Sequence, residues 1–277
     1  MEQRSLEDER PYLRRERSLW PWIVAAIAAA LAGGFAYYYF VASAPKPAPA
    51  PMAKAEPAPP PKAEPAIRNP LPEPEVKSLP TLENSDSMMR ESIAGLLGRK
   101  AFDELIFPRD LVRRIVATID NLPRKTAPRR VMPVNAVPGA FVTSGTGDAR
   151  MIAAANAGRY APYVRALEAV PATTLVTTYV QAYPLFQRAY EELGFPGKYF
   201  NDRLLEAIDD LLAAPEIVTP LRLVQPKVLY AFADPELEMR SAGQKILIRV
   251  GAENALKAKA KLREIRQALA AASTRKP

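Results

Sequence analysis

The chain has 277 residues and a formal net charge of +8, from 38 Lys and Arg against 30 Asp and Glu, and it contains neither cysteine nor histidine. Those two absences exclude a thiol nucleophile, a histidine-based triad, zinc held by nitrogen and sulfur, and covalent haem attachment. Chemistry would have to rest on carboxylates, on Ser with Lys, on Tyr or on an oxygen-ligated metal, and the pattern along the chain points to no cofactor and no metal.

Residues 1–18 balance five arginines against five acids and read as a cytoplasmic tail. From Leu19 to Ala42 the chain carries no side chain charged at neutral pH. A helix of that length reaches ~36 Å at about 1.5 Å per residue, enough for a ~30 Å hydrocarbon core. Trp20 and Trp22 at one end and Tyr37, Tyr38 and Tyr39 at the other suit the two headgroup layers. Residues 19–42 are therefore predicted to be a single membrane span. The run is too long and too aromatic for a typical cleaved signal, although Ala42-Ser43-Ala44 offers a weak cleavage site. Arg4, Arg10, Arg14, Arg15 and Arg17 precede the span and only Lys46 and Lys54 follow closely, a bias that keeps the N-terminus inside and sends the remainder out. Ala26, Ala30 and Gly34 recur at every fourth position, a spacing that would let two anchors pair as a homodimer, or that simply marks an Ala-rich span.

Residues 43–80 form a linker rich in Pro, Ala, Lys and Glu. Thirteen prolines fall between Ala44 and Pro80, with Ile67, Leu71, Val76 and Leu79 as the large aliphatics. Such a segment buries no core and favours a disordered, polyproline-like spacer.

Residues 81–272 are predicted to be one compact, mainly all-α domain. Met89, Ile93, Leu96 and Leu97 share a helix face that Gly98 ends. A second helix is expected from near Pro108, with Leu111, Ile115, Ile119 and Leu122 as its stripe and Pro123 as its stop. The Pro- and Gly-rich stretch 123–150 has Val131–Val134 and Ala140–Thr143 as the arms of one short hairpin. Helical spacing returns with Tyr160, Tyr163, Val164 and Leu167. It resumes with Leu175, Tyr179, Tyr183, Phe186, Tyr190 and Leu193, where Pro184 should introduce a kink and Gly194 a stop. Asn201 is expected to cap a helix burying Leu204, Leu205, Ile208, Leu211 and Leu212. Residues 216–230 read as extended, Asp234-Pro235 as a helix start, and Ser241 with Gln244 as a capping box. The last helix, about Ala252 to Ala271, sets Ala255, Ala258, Leu262, Ile265 and Leu269 along one seam with the basic residues elsewhere. Residues 273–277 form a basic tail.

Three constellations are chemical candidates. Asp202, Glu206 and Asp209 share a helix face, and two such carboxylates can act as acid and base on a glycan; the same spacing describes a solvated face. Ser241 and Lys245 sit one turn apart, as a Ser-Lys nucleophile pair would, although the capping box already accounts for Ser241. Arg203 or Lys227 with Asp234 or Glu206 would form a polar network of structural kind. Arg124, Lys125, Arg129 and Arg130, with Lys257 and Lys261 near the C-terminus, make a candidate binding surface. On the exported side of a membrane such positive charge suits anionic lipid, a cell-wall polymer or an acidic envelope protein rather than nucleic acid.

The succession SDSMMRESIAGLLG, DLVRRIVATIDNLPR, YAPYV, FNDRLLEAIDDLLAAPE, LVQPKVLYAFADPELE and SAGQKILIRVGAENALKAKAKLREIR resembles a bacterial domain-of-unknown-function family of envelope proteins with one N-terminal span and a Pro-rich linker. The resemblance implies a Gram-negative inner membrane and brings no catalytic residues with it. The expectation is a periplasmic interaction or scaffold module without catalysis, and the rival is a carboxylate-dependent cell-wall glycan enzyme.

Overall fold

A computed structural model of the chain describes residues 67–74, 78–218 and 220–274. The chain divides into two units, Met1–Pro61 and Lys62–Pro277, and every described residue belongs to the second. The tail 1–18, the expected span over 19–42, the linker to residue 66 and residues 275–277 lie outside the described residues. Among the described residues no helix is long and apolar enough to cross a membrane.

The described unit is mainly helical, with few strands. Helix α1 (Asp86–Leu97) ends at Gly98, whose φ of 83° a side chain would resist, and α2 (Arg99–Leu105) follows at once. The second of these helices has no counterpart in the apolar periodicity, because its seven residues bury only Phe102 and Leu105. Helix α3 (Leu111–Asn121) starts three residues after Pro108 rather than at it. Its first amides find their acceptor on another helix: Asp86 Oδ2 takes the Asp110 amide at 2.8 Å and Asp86 Oδ1 takes that of Leu111 at 2.9 Å. Asp110 holds φ at 52°, a left-handed conformation that aspartate tolerates better than most residues.

The expected hairpin of 131–134 with 140–143 does not form. Val131 ends a short 3-10 turn, Val134 bridges to Ile106, and β1 (Thr143–Ser144) pairs antiparallel with β2 (Met151–Ile152). A second hairpin joins β3 (Leu223–Val224), inside the segment read as extended, to β4 (Ala231–Phe232), which lies beyond it. Met151 and Arg222 bridge the two hairpins.

Helices α4 (Ala155–Ala169) and α5 (Ala172–Glu192) follow, and α5 carries Pro184 in its interior without ending there. Helix α6 (Phe200–Leu212) begins after Tyr199, so Asn201 lies inside it and is not its cap; the Phe200 amide donates instead to Gln187 Oε1 at 2.9 Å. Asp234 caps the short α7 (Pro235–Glu238) by accepting from the Glu236 amide at 2.8 Å. Ser241 caps α8 (Ala242–Arg249) through the Gln244 amide, but the Gln244 side chain reaches Asp210 rather than back to Ser241, so the box is only half formed.

Helix α9 (Ala252–Ser273) packs along α4, α5 and α6, with Ala255, Ala258, Ile265 and Leu269 buried and Leu262 partly so. Its basic residues are not all outside. Lys259 is buried with Nζ 2.6 Å from the Ala214 carbonyl oxygen. The main core joins Leu82, Met89, Leu111, Val112, Val116, Phe186, Tyr190 and Phe200. Each such large side chain, taken fully from water, contributes about 1.5–3 kcal/mol. The last linker residues belong to this body: Leu79 packs on the core, and Asn69 is hydrogen-bonded to α6.

Candidate functional site

Helix α6 has two faces with opposite chemistry. Its polar face carries the expected acids, and each is tied to a different part of the molecule. Asp202 Oδ1 accepts from the Asn69 amide at 2.9 Å and from Asn69 Nδ2 at 2.8 Å, while Oδ2 accepts from the Arg68 amide at 3.1 Å. Beside it, Asn201 Nδ2 donates to the Asn69 carbonyl at 2.9 Å, completing a strap that holds the end of the linker against the start of α6. Glu206 pairs with Arg203 at 2.9 Å and Asp209 with Arg266 of α9 at 2.5 Å. A further acid of the helix, Asp210, accepts the Ser241 hydroxyl at 2.6 Å and Gln244 Nε2 at 3.0 Å.

At the N-terminal half of this face lies an open pocket of about 360 Å³, lined by Asp120, Arg124, Phe195, Lys198, Arg203 and Glu206 among others. Its buried charge is Asp120, a residue the sequence did not single out, whose side chain is only 6 % exposed. Two guanidinium groups compensate it. Arg203 Nε lies 3.0 Å from Oδ1, and Arg124 Nη2 lies 2.8 Å from Oδ2 and 3.1 Å from Oδ1. The Asp120 main-chain oxygen takes two more bonds from the same arginines, at 2.5 and 3.1 Å. The expected network around Arg203 exists, with Asp120 as its centre. Asp234 spends its carboxylate on capping α7, and Lys227 is exposed on the turn between β3 and β4.

Glu206 is 56 % exposed and stands at the rim of this pocket. Asp202 and Glu206 both line this pocket, but Asp202 is held by the strap and Glu206 by Arg203, and Asp209 is absent from the lining. Arg124 and Lys198 stand at the wall with their cationic heads 5.8 and 5.4 Å from the centre of the Phe195 ring, which stacks on Tyr190 at 4.7 Å. Burial, reinforced by Asp120, raises the Tyr190 phenol above its ordinary value and keeps it protonated at neutral pH. Guanidinium and ammonium groups over an aromatic platform are suited to gripping a carboxylate or phosphoryl group.

The Ser241–Lys245 pair does not exist. Ser241 is bound to Asp210 and to the Gln244 amide, while Lys245 Nζ reaches Glu238 Oε1 at 3.0 Å. The basic surface is also divided. Arg124 enters the polar pocket, Lys125 and Arg129 are exposed, and Arg130 lines a separate shallow pocket with Arg113 and Arg114. Lys257 pairs with Glu253 at 2.6 Å. Lys261 is buried, its Nζ 2.6 Å from Glu264, and so leaves the candidate binding surface: its stem lies in the packed seam of α9. Among the described residues no group of three or more acids comes together that could hold a metal ion.

The other face of α6 borders a half-open apolar cavity of about 330 Å³ between α1, α3, α5, α6 and α9. Ile93, Leu96, Ile115, Ile119, Leu122, Leu204, Leu211 and Leu262, which periodicity marks as core, are only half-buried because they face this hollow. Native interiors are close-packed, with few voids larger than a water molecule.

A protein-family model described as protein of unknown function (DUF3014) matches residues 111–266, from the start of α3 to within α9. No curated protein and no solved structure matches the chain.

Proposed function

We propose, from the premise that this chain belongs to the DUF3014 family of proteins of unknown function, that it is a membrane-anchored interaction module of the bacterial cell envelope. In this reading residues 19–42 are the single span, the N-terminus stays in the cytoplasm, and the helical unit works in the periplasm as a docking surface for an acidic envelope protein. The observation that carries it is the strap: Asp202 and Asn201 bind the main chain of Arg68 and Asn69, so the leash ends on the same helix that forms the polar pocket. A domain held in this way presents Arg68, Arg124 and Lys198 at a set place relative to its tether. The acids of α6 support the same reading, because Glu206 and Asp209 are committed to ion pairs and Asp202 to the strap.

Two measurements test the reading on the full chain. A C-terminal reporter active only in the periplasm should be active, and a cytosol-only reporter silent. Crosslinking in intact cells should capture an envelope protein, and the double variant Arg68→Glu, Lys198→Glu should reduce that capture at least tenfold. An active cytosolic reporter, or equal capture by the double variant, would overturn it.

A further inference from the structure

The geometry points to the cavity between α1, α3, α5, α6 and α9 as a binding site for a single unbranched acyl chain. The inference rests on the cavity alone and stands or falls independently of where the chain resides. The hollow measures about 330 Å³, roughly twice the 150 Å³ dry cavity that accepts benzene, and lies in the size range of natural ligand pockets. At ~30 Å³ per non-hydrogen atom it holds on the order of ten such atoms, or a little over that for a thin chain. Its wall is made of Met89, Ile115, Leu122, Phe186, Ala207 and Leu211 with similar side chains, and the polar-bearing residues in it are Thr178 and Tyr179. The Tyr179 hydroxyl is turned to Asn201 Oδ1 at 3.3 Å, and burial holds its phenol well above the ordinary range, so it stays a neutral donor.

That wall discriminates among occupants. Water needs two to four polar partners, which this lining does not supply. A helix, about 10–12 Å across with its side chains, is too thick, and an extended peptide would bring in backbone amides with nothing to bond. The chain's own linker between residues 43 and 66 offers Met52 as its one large apolar side chain. A flexible hydrocarbon chain fits the volume, needs no hydrogen bond, and gains roughly fourfold in affinity for every methylene taken from water. The expected occupant is therefore a fatty acyl chain of medium length, either as the free acid or as one tail of a lipid.

Photolabelling of the full chain in living cells tests this. Cells expressing it are fed a 12-carbon fatty acid bearing a terminal diazirine, irradiated, and the chain is purified under denaturing conditions for peptide mapping. Label is expected on peptides containing Leu122, Ala207 or Leu211. Two variants that fill the hollow, Ala207→Leu and Thr178→Phe, should each lose at least 90 % of that label while keeping the parent's thermal transition. If one of them fails to fold, the other decides. Cells unable to activate exogenous fatty acids keep the probe free, whereas competent cells place it in phospholipid, so the two backgrounds tell a free acid from a lipid tail. Absence of label from the cavity peptides in both backgrounds would overturn the inference. So would label that persists in a folded cavity-filling variant.

Discussion

Asp120 shows how a single side chain can organise a site without leaving a sign in the sequence. It lies on the α3 helix among residues whose spacing says only that one face is apolar, and its partner Arg203 is 83 positions away. Asp120→Ala takes a buried acceptor from Arg203, which keeps Glu206, and from Arg124, which reaches solvent, so it is expected to destabilise the protein by about 1–3 kcal/mol in urea unfolding. Glu206→Gln, at an exposed rim position, should shift stability by no more than about 0.5 kcal/mol. Similar costs for the two variants would contradict the placement of Asp120 at the centre of the network. The misreading of Asn201 has the same origin. An Asn ahead of an apolar run looks like a cap, but Gln187 from α5 already accepts from the first amide, which frees Asn201 to bind Asn69 and Tyr179. Tyr183 supplies a residue-scale pH effect. Burial raises its phenol from 10 to about 12. The unfolded chain gives up that proton first, so stability present below pH 10 declines as pH rises toward 12. Tyr183→Phe should flatten that decline in an alkaline titration of the unfolding midpoint.

At the scale of elements, most helices were legible because their apolar faces repeat with helical period, and the seam of α9 is the clearest case. What was not legible are joints made by residues from elsewhere. Helix α3 is capped by Asp86 of α1, and Asp86→Ala should cost about 1 kcal/mol, as lost caps do. Helix α8 is docked end-on: the amides of Ala242 and Gly243 donate to the carbonyls of Arg124 and Leu122 at 2.7 and 2.8 Å. Gly243 is required there by close approach, since a Cβ would lie 2.6 Å from Leu211 Cδ2 and 3.2 Å from the Leu122 carbonyl oxygen. Gly243→Ala is expected to destabilise by about 1–3 kcal/mol through overpacking, measured by thermal unfolding. The two hairpins escaped sequence analysis for a different reason. Arms of two residues are too short for alternation to register, and Pro220 and Pro226 on either side of β3 read as breaks.

For the molecule as a whole, the sequence announces a helical body with considerable aliphatic content but not how that content is arranged. Periodicity tells which side chains face inward, and it cannot tell whether opposing stripes interlock or stand apart around a space. Helix α6 divides two compartments of different kinds, with Glu206 and Arg203 toward the charged one and Leu204, Ala207 and Leu211 toward the oily one. The matched family region spans α3 to α9, whereas the strap and α1, which closes one side of the hollow, precede it. Asp202→Ala should release the strap. Limited proteolysis of the full chain is then expected to cut between residues 67 and 74 at least tenfold faster, with little change in the unfolding transition. Unchanged cleavage would mean that Asp202 does not hold that segment down.

The fastening of Arg68 and Asn69 also has a mechanical meaning. A tug arriving along the chain from its N-terminal side meets this clasp before it reaches Leu79 in the packed interior. The load is delivered to the opening turn of α6, the partition between the ionic and the greasy chambers. Tension on that segment and occupancy of either chamber would thus act on one and the same rod.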